Sequence, residues 1–123
     1  MKKVYIAGPD VFRRDAKQHL EMLRRMIDEC DAVIANIEPF RGPHMDPGTA
    51  FEIGYAVAKG KPVYCYTTQA RDENGDAIED FGLTENLMID SPARAICINF
   101  VDAVSAMKAD LAPKQPDDYE EHA

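Results

Sequence analysis

The run Ala32-Val33-Ile34-Ala35-Asn36-Ile37 is the tightest constraint on the fold. It is almost wholly apolar and does not alternate, which is how a short strand reads when both of its faces are buried in a parallel sheet. Parallel strands need crossover connections, and these are usually helices. The flanking sequence supplies them. Lys3 to Ala7 alternates and ends at Gly8-Pro9, a strand running into a loop. Asp15 to Cys30 has helical spacing, with Leu20, Leu23, Met26 and Ile27 on one face and Arg24, Arg25, Asp28 and Glu29 on the other.

Glu38 to Pro47 contains three prolines and a glycine, and is therefore a loop. A helix is predicted from about Gly48 to Lys59, stopped by Gly60 and Pro62. Pro62 to Thr67 is a further strand, and Thr68 to Asp80 is a polar stretch with a turn at Asn74-Gly75. Ala95 to Phe100 is the last strand and Val101 to Leu111 the last amphipathic helix. The alternation specifies a single α/β domain over residues 1–112, with a parallel sheet and helices on both faces. Residues 113–123 form an acidic, proline-containing tail expected to fray.

The totals exclude several classes. A chain of 123 residues can bury a core without staples. Cys30, Cys65 and Cys97 are odd in number and widely spaced, which supports neither a zinc site nor a disulfide framework, so buried free thiols are expected. The net charge of -8 argues against a nucleic-acid partner, because that affinity comes from Lys and Arg on phosphates. No apolar run approaches the roughly 20 residues of a membrane span. The start, Met1 to Gly8, is too weakly apolar for a signal peptide, so a cytoplasmic protein is expected.

Ligands in such sheets bind beyond the carboxyl ends of the strands. Gly8-Pro9-Asp10 and the Glu38–Pro47 loop lie at that edge, and Asp46-Pro47-Gly48-Thr49-Ala50-Phe51-Glu52 follows. Glu52 sits between apolar neighbours in sequence, and a carboxylate in apolar surroundings is costly unless it is used. No P-loop or dinucleotide fingerprint is present. The helix start at Gly48-Thr49 offers free N–H groups that could cradle a phosphate or hold Glu52 at a pocket edge. The turn at Pro47-Gly48 can fold Asp46 back over the site, and two carboxylates in one pocket suit glycosyl transfer, one attacking the anomeric carbon and one handling the leaving-group proton. Asp46 as a simple helix cap is the competing reading. Tyr5, on the first strand, can hold Glu52 through a hydrogen bond or merely pack. Phe12 and Phe40 can stack on a base or fill the core, and His44 is expected to be exposed.

These residues together resemble the nucleoside 2-deoxyribosyltransferase family. The matching pieces are Val4 to Phe12, Cys30 to Asn36, Pro39 to Gly42 and Asp46 to Tyr55, with a weaker match over Phe81 to Leu87. The resemblance implies a flavodoxin-like (Rossmann-like) fold and a retaining double displacement that transfers 2-deoxyribose between nucleobases. Glu52 would be the nucleophile that forms a covalent sugar ester, Asp46 the acid that protonates the base, and Tyr5 the residue that positions Glu52. Gly8, Pro9, Phe12, Phe40, Arg41, Gly48 and Asn86 would bind substrate, Asn86 near the sugar's 5′ end. The substrates implied are 2′-deoxynucleosides and free bases, handled without metal or organic cofactor by a homo-oligomer whose site a neighbouring subunit completes. The chain departs from the family pattern where Gln18 runs directly into His19, omitting a strand and loop that usually supply base-recognition residues.

Two rivals stay open. Related hydrolases of nucleoside 5′-monophosphates share the Gly-Thr-x-x-Glu arrangement, for which Arg41 and Thr49 would have to bind phosphate because the chain has no serine before Ser91. A catalytically silent nucleotide-binding module is the third reading, against which the Tyr5, Asp46 and Glu52 set speaks.

Overall fold

The computed structural model of the chain describes residues 2–9, 16–42, 44–68, 89 and 91–112. The expected tail, Asp10, Phe12 and Asn86 lie outside the described residues. Strands β1 (Val4–Ala7), β2 (Ala32–Asn36), β3 (Val63–Tyr66) and β4 (Ala95–Cys97) form one parallel sheet in that order. Ile6 pairs with Ile34, Ile34 with Tyr64, and Tyr64 with Ala95. The described helices are α1 (Ala16–Glu29), α2 (Pro47–Ala58) and α3 (Phe100–Leu111).

Strand alternation divides the core into two layers. On one face Tyr5, Ala7, Val33, Ala35, Val63 and Cys65 pack with Ile27 of α1 and with Ile53 and Ala56 of α2. On the other, Ala32, Ile34 and Tyr64 pack with Ala103 and Met107 of α3. Ala32 through Ala35 are therefore buried on both sides, as the unalternating run requires. Each fully buried Ile or Val contributes roughly 1.5–3 kcal/mol relative to exposure.

Helix α3 packs mainly against β2, β3 and β4. Val4 and Ile6 are consequently exposed, whereas Tyr5 and Ala7 on the opposite face of β1 are buried. Helix α1 is continuous through Gln18-His19, and β1 pairs directly with β2, which is how the shortened connection is accommodated.

Boundaries differ from the sequence reading by a few residues. Helix α2 begins at Pro47 rather than Gly48, since proline is favoured at the first helical position and Asp46 caps it. The last strand ends at Cys97 and the last helix starts at Phe100, because the Asn99 side chain accepts from Asp102 N–H at 2.8 Å and fixes the helix start. Met26, expected on the buried face of α1, is exposed, while Ile27 at the centre of the stripe takes the core. Cys30 and Cys65 are buried free thiols, while Cys97, also free, is partly exposed. Among the described residues no helix is long and apolar enough to cross a membrane.

Tyr64 ties α3 to the sheet. Its ring is fully buried and its hydroxyl donates to Asp110 Oδ2 at 2.8 Å. Burial, then the Asp110 carboxylate, push its phenol from 10.0 up to about 12. The folded value lies above the unfolded one, so the stabilisation is fully present below pH 10 and is lost as pH rises through about 12. Tyr64→Phe is expected to cost about 1 kcal/mol in urea unfolding at neutral pH. It should also remove a phenol that titrates at about pH 12 from a spectroscopic titration; an unchanged titration would contradict this assignment.

Candidate active site

Glu52 and Tyr5 meet because α2 crosses back over β1, β2 and β3. Both residues are 6% exposed, and the Tyr5 hydroxyl donates to Glu52 Oε2 in a short hydrogen bond. Phe51, adjacent in sequence, is not part of this environment. It points outward, stacks on Tyr55 at 6.4 Å and lies under the Arg24 guanidinium at 6.0 Å. The apolar shield of Glu52 therefore comes from the sheet and the neighbouring core, with Ile53 and Ala56 of α2 and Tyr5 of β1 in the same buried layer. Leaving a carboxylate among them is costly unless hydrogen bonds offset its lost hydration.

Asp46 sits at the mouth of the same helix. Its backbone is extended (φ -58, ψ 132), as a residue before proline prefers. Its Oδ2 accepts from the Thr49 backbone N–H at 3.1 Å and faces the Thr49 hydroxyl at 3.5 Å. The capping reading of Asp46 is thus correct, and the carboxylate folds back over α2 as the turn at Pro47-Gly48 allows. Its own oxygen occupies the helix-start cradle that was the alternative seat for a phosphate. At 1.5 Å per residue, Glu52 lies roughly 9 Å along the helix from Asp46. Helical side chains lean toward the N-terminus, which inclines Glu52 toward that mouth.

A hollow of about 450 Å³ opens beside Asp46, lined by Phe40, Arg41, Gly42, His44, Met45, Asp46 and Pro47. Tyr5 and Glu52 are not in its lining; Asp46 and Pro47 are common to hollow and helix mouth. The Phe40 N–H donates to the His44 carbonyl at 2.8 Å and closes the loop. Inside it Arg41 (φ 54) and Gly42 (φ 138) adopt left-handed backbone, and the Arg41 guanidinium lies 4.9 Å from the Phe40 ring centroid. For an arginine that conformation costs about 1–2 kcal/mol, and such strain collects at ligand sites. His44 is exposed on the hollow's wall, as expected.

Gly8 is half-buried just past β1 and Pro9 is exposed; a Cβ on Gly8 would meet only the Asn36 Cβ at an ordinary 3.5 Å. One feature escaped the sequence reading altogether. The Glu38 carboxylate receives both the Thr68 N–H and its hydroxyl (3.0 Å for the latter), joining the ends of β2 and β3 at the site's edge. No local pattern signals a pair separated by 30 residues. Among the described residues no group of three His, Cys, Asp or Glu could hold a metal ion.

The family model for nucleoside 2-deoxyribosyltransferase matches residues 24–88, more than half of the sequence. The chain belongs to the nucleoside 2-deoxyribosyltransferase family. A 2-deoxyribosyltransferase from Leishmania mexicana superposes with a TM-score of 0.65 at 29% identity, covering 92% of this chain and all of that one. An uncharacterised protein of Schizosaccharomyces pombe is 50% identical over 52 residues, 42% of this chain but only a quarter of the relative's length.

The buried pair makes a thermodynamic prediction. Tyr5→Phe withdraws a donor from the buried carboxylate and should destabilise by about 1–3 kcal/mol. Glu52→Gln should cost less, since a neutral amide is easier to bury. In urea unfolding the double variant should show coupling of about 1 kcal/mol or more, and strictly additive effects would contradict the contact.

Proposed function

We propose that the protein exchanges the bases of 2′-deoxynucleosides by a retaining double displacement through Glu52. The observation carrying this reading is the buried Glu52 carboxylate held by the Tyr5 hydroxyl, in a chain belonging to this family. Tyr5 fixes Oε2 and Oε1 attacks C1′. As the Oε1–C1′ bond forms, the C1′–N bond breaks and Asp46 gives a proton to the departing base. A second base then attacks C1′, the glutamyl ester opens, and Asp46 takes a proton back. Without an acceptor base, water does so more slowly. A developing positive charge at C1′ favours a 2-deoxy sugar, because a 2-hydroxyl withdraws electrons.

The hollow is the place for the base, with the Phe40 ring as a stacking surface and Arg41 and His44 as polar contacts. The sugar then extends past Asp46 toward Glu52. Gly8 and Pro9 border the sugar, and Asn86 from a neighbouring subunit of a homo-oligomer reaches its 5′ end. The protein works in the cytoplasm with small-molecule substrates alone, requiring no metal or organic cofactor.

Hydrolysis of a 5′-monophosphate is the weaker reading. It would need phosphate donors at the start of α2, and there the Thr49 N–H is already committed to Asp46.

Incubation with 2′-deoxyinosine and free adenine should yield 2′-deoxyadenosine, and Glu52→Ala should lower the rate by about a thousandfold or more. Hypoxanthine release without a new nucleoside would replace transfer by hydrolysis. Faster release from 2′-deoxyinosine 5′-monophosphate would favour the phosphate-binding reading.

A further inference from the structure

We propose that Gly48 and Thr49 are positioning residues for Asp46, shaped around one of its carboxylate oxygens so that the other is presented to the substrate as the acid. The role rests on the reading that Asp46 protonates the departing base.

An ordinary N-cap needs only a backbone N–H two or three residues on, and places no demand on the side chains between. Two features here exceed that. Gly48 does not have positive φ, so conformational freedom is not why glycine is present. What it provides is room: a Cβ at this position would lie 2.8 Å from Asp46 Oδ2, closer than real Cβ contacts allow. The second feature is Thr49, whose side chain is fully buried although polar, with its hydroxyl 3.5 Å from the same oxygen. Backbone N–H, hydroxyl and the space over Gly48 thus converge on Oδ2.

The hydrogen bonds that the Asp46 side chain makes among the described residues all fall on Oδ2. Oδ1 is left to carry the transferable proton at the edge of the hollow that Asp46 lines. In the forward half-reaction that proton passes from Oδ1 to the base nitrogen while the C1′–N electron pair leaves with the base, and Asp46 becomes a carboxylate. In the return half-reaction the incoming base surrenders a proton to Oδ1. A carboxyl free to rotate would spend much of its time with the proton turned away, and small misplacements of a reacting group are costly in rate.

The test separates proton delivery from general damage by changing the leaving group. Base release is measured from 2′-deoxyinosine, whose base needs a proton, and from N7-methyl-2′-deoxyguanosine, whose base is already cationic. Gly48→Ala and Thr49→Val should each lower kcat on 2′-deoxyinosine about tenfold with little change in KM, and lower release from the methylated nucleoside less than twofold. Thr49→Ser should restore the 2′-deoxyinosine rate. Alanine is the better helix former, so Gly48→Ala is not expected to lose activity by unfolding, and a melting curve checks both variants. Equal losses on the two substrates, or no loss on 2′-deoxyinosine, would overturn the positioning role while leaving base exchange intact. No release from either substrate by the unaltered protein would instead overturn the functional reading, and this role with it.

Discussion

A carboxylate buried against a phenol from another element is the constraint around which this small fold is arranged. Glu52 and Tyr5 are separated by 47 residues and meet only because two successive parallel crossovers lay α2 across the strand that carries Tyr5. The pairing of β1 with β2 and of β2 with β3 places the helix, while Ile53 and Ala56 of α2 and Ile27 of α1 supply the apolar area that holds it down. An apolar side chain at position 52 would suit that layer better, since a buried polar pair gives little net stability against hydrophobic replacement. The fold therefore carries the carboxylate at a stability cost, which is the ordinary mark of a residue kept for chemistry.

Asp46 links that buried carboxylate to the surface. One oxygen completes the start of α2, and the same residue forms part of the wall of the hollow over Phe40 and Arg41. The helix start thus serves a carboxylate of the chain itself, and the rigid first turn of α2 sets the spacing between Asp46 and Glu52. Among the described residues the left-handed non-glycine is Arg41 in the neighbouring loop, which the Phe40–His44 hydrogen bond closes and whose guanidinium rests on the Phe40 ring.

The sheet was legible in sequence because its cause is local: a run such as Ala32 to Ile37 has few ways to bury itself other than as a parallel strand. The Tyr5–Glu52 contact was legible through the family resemblance and the position of each residue, although Phe51, an apolar neighbour of Glu52 in sequence, is exposed. A helix sends adjacent side chains in directions about 100° apart, so Phe51 need not share the surroundings of Glu52. The same geometry put Met26 outside and Ile27 inside. The joining of Glu38 to Thr68 and the room that Gly48 leaves for Asp46 could not be read, since both depend on where tertiary packing sets a carboxylate. Asp-Pro-Gly-Thr does advertise a helix cap, and that part of Asp46's behaviour was open to inspection from the start.

The central claim is that Glu52 becomes covalently bonded to the sugar, and mass spectrometry of the protein after exposure to a 2′-deoxy-2′-fluoroarabinonucleoside tests it most directly. Fluorine at C2′ slows both formation and breakdown of the intermediate by destabilising positive charge at C1′, and a readily departing base restores the first step. The account predicts a mass increase of one fluorosugar per chain, located on the peptide containing Glu52 and absent from Glu52→Gln. Release of the base with no adduct on the protein, or an adduct on any other residue, would contradict it.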